Sequence, residues 1–180
     1  LHGTYLLAGA SLCGGKAYAL LEKFFREFVK EATGHEKPLY KTLEKLAGDG
    51  KASCTGRENR KKLQIETTFD GTRVHPEQTG SITNLSTDNF TPAAFVYGTL
   101  EGMSRELYQM YQTIQNGTGM QIKRMIGSGN GLRKNPVLCE IVEEMFGAKL
   151  VLAECEEEAA TGAALSSMQQ DEQLKNMGCD

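Results

Sequence analysis

The sequence predicts an α/β fold, most clearly in its last third. There, short apolar runs alternate with helical patterns in the order strand, helix, strand, helix, at residues 121–126, 135–146, 149–152 and 157–168. Such alternation is typical of parallel strands with helices packed on the sheet. The glycine-rich run Gly127-Ser-Gly-Asn-Gly131 joins the first of these strands to the helix after it. Together with amphipathic helices upstream, these observations predict a mixed sheet flanked by helices.

Two helices are predicted before the first strand of the chain. The first begins at Gly14-Gly15 and runs to about Ala32, with apolar residues three and four positions apart along one face. That face consists of Tyr18, Leu21, Phe24, Phe25, Phe28 and Val29. The second helix is predicted to begin at Pro38 and to end at Gly48-Asp-Gly50, because glycine commonly terminates helices.

Two strands and the longest helix are predicted next. Residues 63–69 alternate apolar and polar side chains, as in a half-buried strand, and residues 81–85 form a weaker strand pattern. Thr91 is suited to cap the helix that follows, and Pro92 suits its first position because proline lacks an N–H that would be unpaired there. We expect this helix to end at Asn116-Gly-Thr-Gly119.

The glycine-rich run at 127–131 leaves room for a flat ligand against bare backbone. Its spacing is not Gly-x-Gly-x-x-Gly and no Gly-Lys-Ser/Thr follows, so the run is neither a dinucleotide fingerprint nor a P-loop. Asn135 precedes Pro136 and is suited to cap the next helix. Taken alone, the run is better explained as an ordinary strand-to-helix turn.

The composition excludes several classes of protein. The 180 residues are 39% hydrophobic and 24% charged with a net charge of −3, which is typical of a soluble globular domain. The absence of a basic stripe argues against a nucleic-acid partner, and no apolar run approaches the roughly 20 residues that cross a membrane. The five cysteines and three separated histidines predict no metal site. Free thiols are expected in a reducing cytoplasm.

The end of the chain resembles a known family. Met125-Ile-Gly-Ser-Gly-Asn-Gly-Leu-Arg-Lys-Asn135, then a helix, a strand and a Glu-x-x-Ala-x-Gly-Ala-Ala segment at 157–164, is similar to FGGY-family carbohydrate kinases. Residues 7–15 resemble the helix start that borders adenine in that family, and residues 69–102 resemble its Gly-Glu-Arg-x-Pro and Glu-Gly segments. Two departures are Thr72, where Glu is usual, and Asn84, where Gly is common.

The resemblance implies an actin/hexokinase-like (ribonuclease-H-like) ATPase domain. Residues 1–168 would form the C-terminal nucleotide-binding lobe of a sugar kinase, and residues 169–180 a polar tail. The sugar-binding domain and the general-base Asp are expected upstream of Leu1, and the Mg²⁺ ligands outside this chain, so this lobe alone would be inactive. The implied reaction transfers the γ-phosphate of ATP to a hydroxyl of a keto-sugar or polyol, and the motifs look most like those of sedoheptulokinase-type members.

The resemblance also implies which residues border the adenosine part of ATP. The cofactor-binding residues are expected to be Gly9, Cys13, Gly127, Ser128, Gly129, Asn130 and Asn135. Gly9 and Cys13 should face the 127–130 loop across a groove. For Asn135 we expect first a structural role as a helix cap. The alternative is a hydrogen bond from its side-chain amide to the adenine edge.

Two other classes of function remain open. The chain could be a nucleotide-dependent binding or chaperone module of the actin-like superfamily, although such a module should lack the Gly71–Pro76 and Glu101-Gly102 segments. It could also be a structural domain with a vestigial site. The identity of the sugar and the oligomeric state, including a homodimer, are not fixed by these residues.

Overall fold

Helices and two pairs of short strands make up the part of the chain that the computed structural model describes, namely residues 6–55, 62–154, 157 and 160–168. The helices are α1 (Gly14–Thr33), α2 (Tyr40–Thr55), α3 (Pro92–Thr118), α4 (Asn130–Arg133), α5 (Pro136–Phe146) and α6 (160–168). The strands are β1 (Gln64–Glu66), β2 (Ser81–Thr83), β3 (Met125–Gly127) and β4 (Leu150–Leu152). The predicted tail at 169–180 lies outside the described residues.

The two strand pairs differ in direction. β1 and β2 pair antiparallel, with Ile65 opposite Ile82. β3 and β4 pair parallel, with Ile126 opposite Val151, and α5 connects them. The parallel strand-helix-strand unit predicted for the end of the chain is therefore confirmed.

Local capping residues place the ends of α3 and α5 where the sequence predicts them. The Thr91 hydroxyl accepts a hydrogen bond from the backbone N–H of Ala94, and Gly119 ends α3 in the left-handed conformation at φ 70°. The side chain of Asn135 accepts from the backbone N–H of Leu138 at 3.1 Å and so caps α5. Each cap satisfies a backbone group that a helix end would otherwise leave unpaired.

The core lies where α2 and α5 pack against the N-terminal third of α3. Its buried side chains are Leu43, Ala47, Val96, Tyr97, Leu100, Leu138, Ile141 and Val142. Full burial of one large apolar side chain contributes about 1.5–3 kcal/mol. On another face of α3, Gly98 and Gly102 allow β1 to lie directly against the helix, because a Cβ on Gly102 would overlap the carbonyl oxygen of Ile65.

The predicted end of α2 is wrong. The helix begins at Tyr40, two residues after Pro38, and continues through Gly48-Asp-Gly50 to Thr55. Gly50 does not end the helix. A glycine is needed there because α2 packs closely on α3, and a Cβ at this position would lie 2.5 Å from the carbonyl oxygen of Ala93. Asp49 consequently lies exposed on the helix and not in a turn.

The strands are shorter than predicted. β1 covers three of the residues predicted at 63–69, since the chain then turns with a hydrogen bond from the Gly71 N–H to the Thr68 carbonyl oxygen. β2 ends before Asn84, which has a φ of 61°. Glycine and asparagine adopt this left-handed conformation most readily, which explains Asn84 at a position where the resembling family often has glycine.

Candidate functional site

The glycine-rich loop lies between the end of β3 and the start of α5. It contains one short helical turn, α4, that the sequence did not predict, and the Arg133 N–H bonds the Gly129 carbonyl oxygen at 3.2 Å. Ser128 and Asn130 are exposed, whereas Gly127 is buried. The loop follows the carboxyl end of β3, which pairs parallel with β4. Ligands of open α/β sheets commonly bind at the carboxyl ends of parallel strands.

Gly127 and Gly129 are glycines for different physical reasons. A Cβ on Gly127 would lie 2.8 Å from Leu132 Cδ1 and 3.0 Å from Leu150 Cδ1, so packing inside the fold accounts for the missing side chain. Gly129 has φ 91° and ψ 158°, a conformation that is essentially confined to glycine. Apart from its two chain neighbours, no heavy atom of the described residues lies within 4 Å of the place where its Cβ would be, so there is room on that side of the glycine.

Asn135 lies at the base of this loop and is only 6% exposed. Its side-chain oxygen is committed to the cap of α5, so the structural role expected for Asn135 is confirmed. The Tyr18 hydroxyl approaches the Asn135 side chain from α1 without completing a hydrogen bond to it. Burial, and secondly the charge of Glu44, raise the pKa of Tyr18 to about 12, which keeps the phenol neutral. The first turns of α1 and the start of α5 are thus neighbours.

The approach segment, defined as residues 6–13, leads into α1 along α3. Gly9 is exposed to solvent but lies against α3, because a Cβ on it would come within 2.8 Å of Met110 Cβ. Cys13 is 3% exposed, so neither its backbone nor its thiol reaches the surface of the described fold. Burial, and secondly the negative charge of Asp70, raise the pKa of the Cys13 thiol and favour its neutral form. That Gly9 and Cys13 face the 127–130 loop stays a prediction.

The loop that follows β1 forms a closed turn beside the start of α1. Thr72 makes two hydrogen bonds to His75, one through its hydroxyl and one through its N–H, both at 2.9 Å. Threonine therefore has a structural role at a position where glutamate is usual in the resembling family. Asp70 forms an ion pair with Lys16 of α1 at 2.7 Å, so this aspartate is paired as well as exposed.

An apolar groove that sequence reasoning missed lies between α1, α3 and the β1–β2 pair. It has a volume of about 330 Å³ and is lined by side chains such as Leu20, Phe24, Phe69, Ile82 and Phe95. None of the seven predicted site residues lines it. Because its lining residues extend from Ala17 to Thr99, no local pattern could have indicated it.

The described residues contain no ready metal site and no membrane span. Among them, no three histidine, cysteine, aspartate or glutamate side chains are placed to hold an ion together. None of the helices in the described ranges combines the length and apolar character that crossing a bilayer requires.

Comparison with known proteins identifies the relatives of this chain. The sequence profile described as the C-terminal domain of the FGGY family of carbohydrate kinases matches residues 1–169. Sedoheptulokinase from Mus musculus is 26% identical over 170 residues, which cover 93% of this chain and 34% of that protein. The Homo sapiens sedoheptulokinase is 27% identical over 169 residues, covering 90% of this chain and 32% of its own length. The chain thus spans about a third of these curated relatives.

Solved structures of sugar kinases share the fold. Xylulose kinase from Rhodospirillum rubrum superposes with a TM-score of 0.59 at 20% identity, covering 77% of this chain and 25% of that one. Plasmodium falciparum glycerol kinase, solved with ADP, gives a TM-score of 0.57 at 16% identity, covering 77% of this chain and 26% of its own. The predicted actin/hexokinase-like fold is confirmed. The chain belongs to the FGGY family of carbohydrate kinases and corresponds to the C-terminal domain of that family.

Proposed function

We propose that residues 1–168 are the nucleotide-binding lobe of an ATP-dependent sugar kinase. The full-length protein would transfer the γ-phosphate of ATP to a hydroxyl of a keto-sugar or polyol, in the cytoplasm. Similarity to two sedoheptulokinases over at least 90% of the chain makes sedoheptulose the first substrate to test. The sugar-binding domain and the general-base aspartate are proposed to lie in the part of the protein outside this chain.

The observation that carries the proposal is the backbone of Gly129. This residue has a conformation that other residues rarely adopt, and among the described residues beyond its chain neighbours no heavy atom lies within 4 Å of its Cβ position. A flat ring lying against the loop would use that space. Exposed Ser128 and Asn130 flank the glycine and offer a hydroxyl and an amide to the ligand.

The residues of this lobe fit adenosine better than they fit the phosphates. Residues 128–131 offer bare backbone and neutral polar side chains, whereas Gly127 is enclosed by Leu132 and Leu150 and contributes only the path of the backbone. Phosphoryl transfer depends on positioning and on neutralising charge on the phosphates. A bound Mg²⁺ ion would supply the positive charge that neutralises the phosphates, and the carboxylates that hold the ion are expected outside this chain. We therefore expect the lobe alone to be inactive.

Phosphorylation assays on the full-length protein test this proposal. With ATP and Mg²⁺ present, we expect ATP-dependent phosphorylation of a keto-sugar or polyol, with sedoheptulose tested first. Saturating ADP should also raise the unfolding temperature, since a ligand at 100 times its Kd stabilises a protein by about 2.7 kcal/mol. Nucleotide binding without phosphorylation of any sugar would favour a binding or chaperone module. The absence of both would favour a vestigial site.

A further inference from the structure

A single serine hydroxyl joins the approach segment to α3. Ser11 Oγ accepts hydrogen bonds from the backbone N–H groups of Cys13 at 3.2 Å and Gly14 at 2.7 Å. It donates its own proton to Glu106 Oε2 at 2.9 Å. A hydroxyl has one proton and two acceptor sites, so the hydrogen-bonding capacity of Ser11 is fully used. The first N–H groups of α1 are thereby linked to a side chain of α3.

The acceptor of this proton is a buried carboxylate. Glu106 is 7% exposed, and burial of a carboxylate is unfavourable unless hydrogen bonds replace its water. The bond from Ser11 satisfies one carboxyl oxygen of Glu106 and ties the approach segment to α3.

A second contact fixes the direction of the approach segment. Gly9 lies against Met110, where a Cβ would come within 2.8 Å of the methionine Cβ. Glu106 and Met110 are four residues apart and share one face of α3. Ser11 contacts the earlier of the two and Gly9 the later, so the segment runs along α3 in the opposite direction to the helix. Two points separated by one helical turn define its position.

We propose that Glu106 is a positioning residue that acts through Ser11 to hold the approach segment, with its exposed Gly9, in place as one wall of the nucleotide site. This inference rests on the function proposed above. Glu106 lies beneath the segment and is not assigned a contact with ATP. Without the Ser11–Glu106 bond, the segment loses one of its two fixed points on α3, and the wall can move away from the nucleotide.

The test compares disruptive and conservative variants in the full-length protein. Ser11→Ala and Glu106→Ala remove the bond, whereas Ser11→Thr keeps the hydroxyl and Glu106→Gln keeps an acceptor oxygen. We expect the disruptive variants to raise the Kd for ADP and the KM for ATP about tenfold, equivalent to about 1.4 kcal/mol. The KM for sugar and kcat should stay nearly unchanged, and the conservative variants should recover most of the nucleotide affinity.

Ser104→Ala is the matched control. Ser104 is a fully buried serine of the same helix whose hydroxyl donates to the Leu100 carbonyl oxygen at 2.9 Å. Its replacement should lower the unfolding temperature without changing the Kd for ADP. The Kd for ADP of the double variant Ser11→Ala/Glu106→Ala should be no higher than that of the single variant with the higher Kd, because both changes remove the same bond.

Three results would overturn the inference in distinguishable ways. If Ser11→Ala lowers stability but leaves the Kd for ADP at the wild-type value, the bond is only structural. If the two single changes add in full, the residues act separately. If the wild-type protein itself does not bind ADP, the proposed function fails, and the inference fails with it.

Discussion

Gly50 of α2 lies so close to Ala93 of α3 that a Cβ on the glycine would come within 2.5 Å of the alanine carbonyl oxygen. The same Cβ would lie 2.7 Å from Tyr97 Cβ, so neither backbone nor side chain leaves room for it. The two helices approach each other here at the edge of the core. The glycine thus permits the contact on which the placement of α2 depends.

Gly50→Ala is therefore expected to destabilise the domain, although alanine favours helix formation. Forcing an extra carbon into a packed contact typically costs about 1–3 kcal/mol. Gly48→Ala is the matched control in the same helix, since apart from the adjoining backbone of α2 no described atom lies within 4 Å of its Cβ position. That change should raise the free energy of unfolding by up to about 1 kcal/mol through helix propensity. Denaturant titration of both variants checks the prediction, and equal effects would contradict it.

Replacement of Asn135 separates its cap role from a role in ATP binding. Asn135→Ala removes the acceptor for the Leu138 N–H and should cost about 1 kcal/mol of stability. Asn135→Ser keeps an acceptor at the cap but has a shorter side chain. If the amide also bonds the adenine edge, the serine variant should fold normally and bind ATP more weakly. Unchanged stability together with unchanged ATP affinity would leave only the cap.

Gly129→Ala tests the loop. A side chain at φ 91° is strained, so we expect a stability loss of about 1–3 kcal/mol. Because the Cβ would enter the space proposed for the ligand, the KM for ATP should rise more than the KM for sugar. Gly131→Ala provides the comparison, since it has open space at its Cβ position and no positive φ. A parallel loss of sugar and ATP affinity in Gly129→Ala would instead indicate collapse of the loop.

The free energy of unfolding of the domain is expected to depend on pH through Glu101. Burial raises the pKa of this carboxyl above its ordinary value of 4.5, although Lys62 and Arg105 oppose the shift. Between 4.5 and the raised pKa the folded state binds more protons than the unfolded state, so stability contributed by Glu101 falls as pH rises. Glu101→Gln should remove this decline. Urea midpoints measured from pH 4 upward check the sign, and a wild-type advantage that grows with pH would refute it.

Local chemistry explains which elements were predictable. The starts of α3 and α5 follow from Thr91 and Asn135, whose capping partners lie three residues away. The end of α2 was mispredicted, because the reason for Gly50 is a helix more than 40 residues along the chain. Short-range patterns do not contain such information.

The same distinction applies to the candidate site. The sequence shows a glycine at both 127 and 129, but the reasons differ. Packing against Leu150 accounts for Gly127, and backbone conformation accounts for Gly129. The bond between Ser11 and Glu106 joins residues 95 positions apart, and no spacing rule connects them. The sequence could therefore locate the loop itself but not what holds the approach segment in place.

The position of bound ADP in the full-length protein tests the central claim most directly. A crystal structure of that complex should place the adenine between the approach segment at Gly9 and the backbone of Gly129, with Ser128 or Asn130 in hydrogen-bond reach. Adenine bound instead in the apolar groove beside Phe24 and Ile82, with the 127–130 loop free of ligand, would contradict the account.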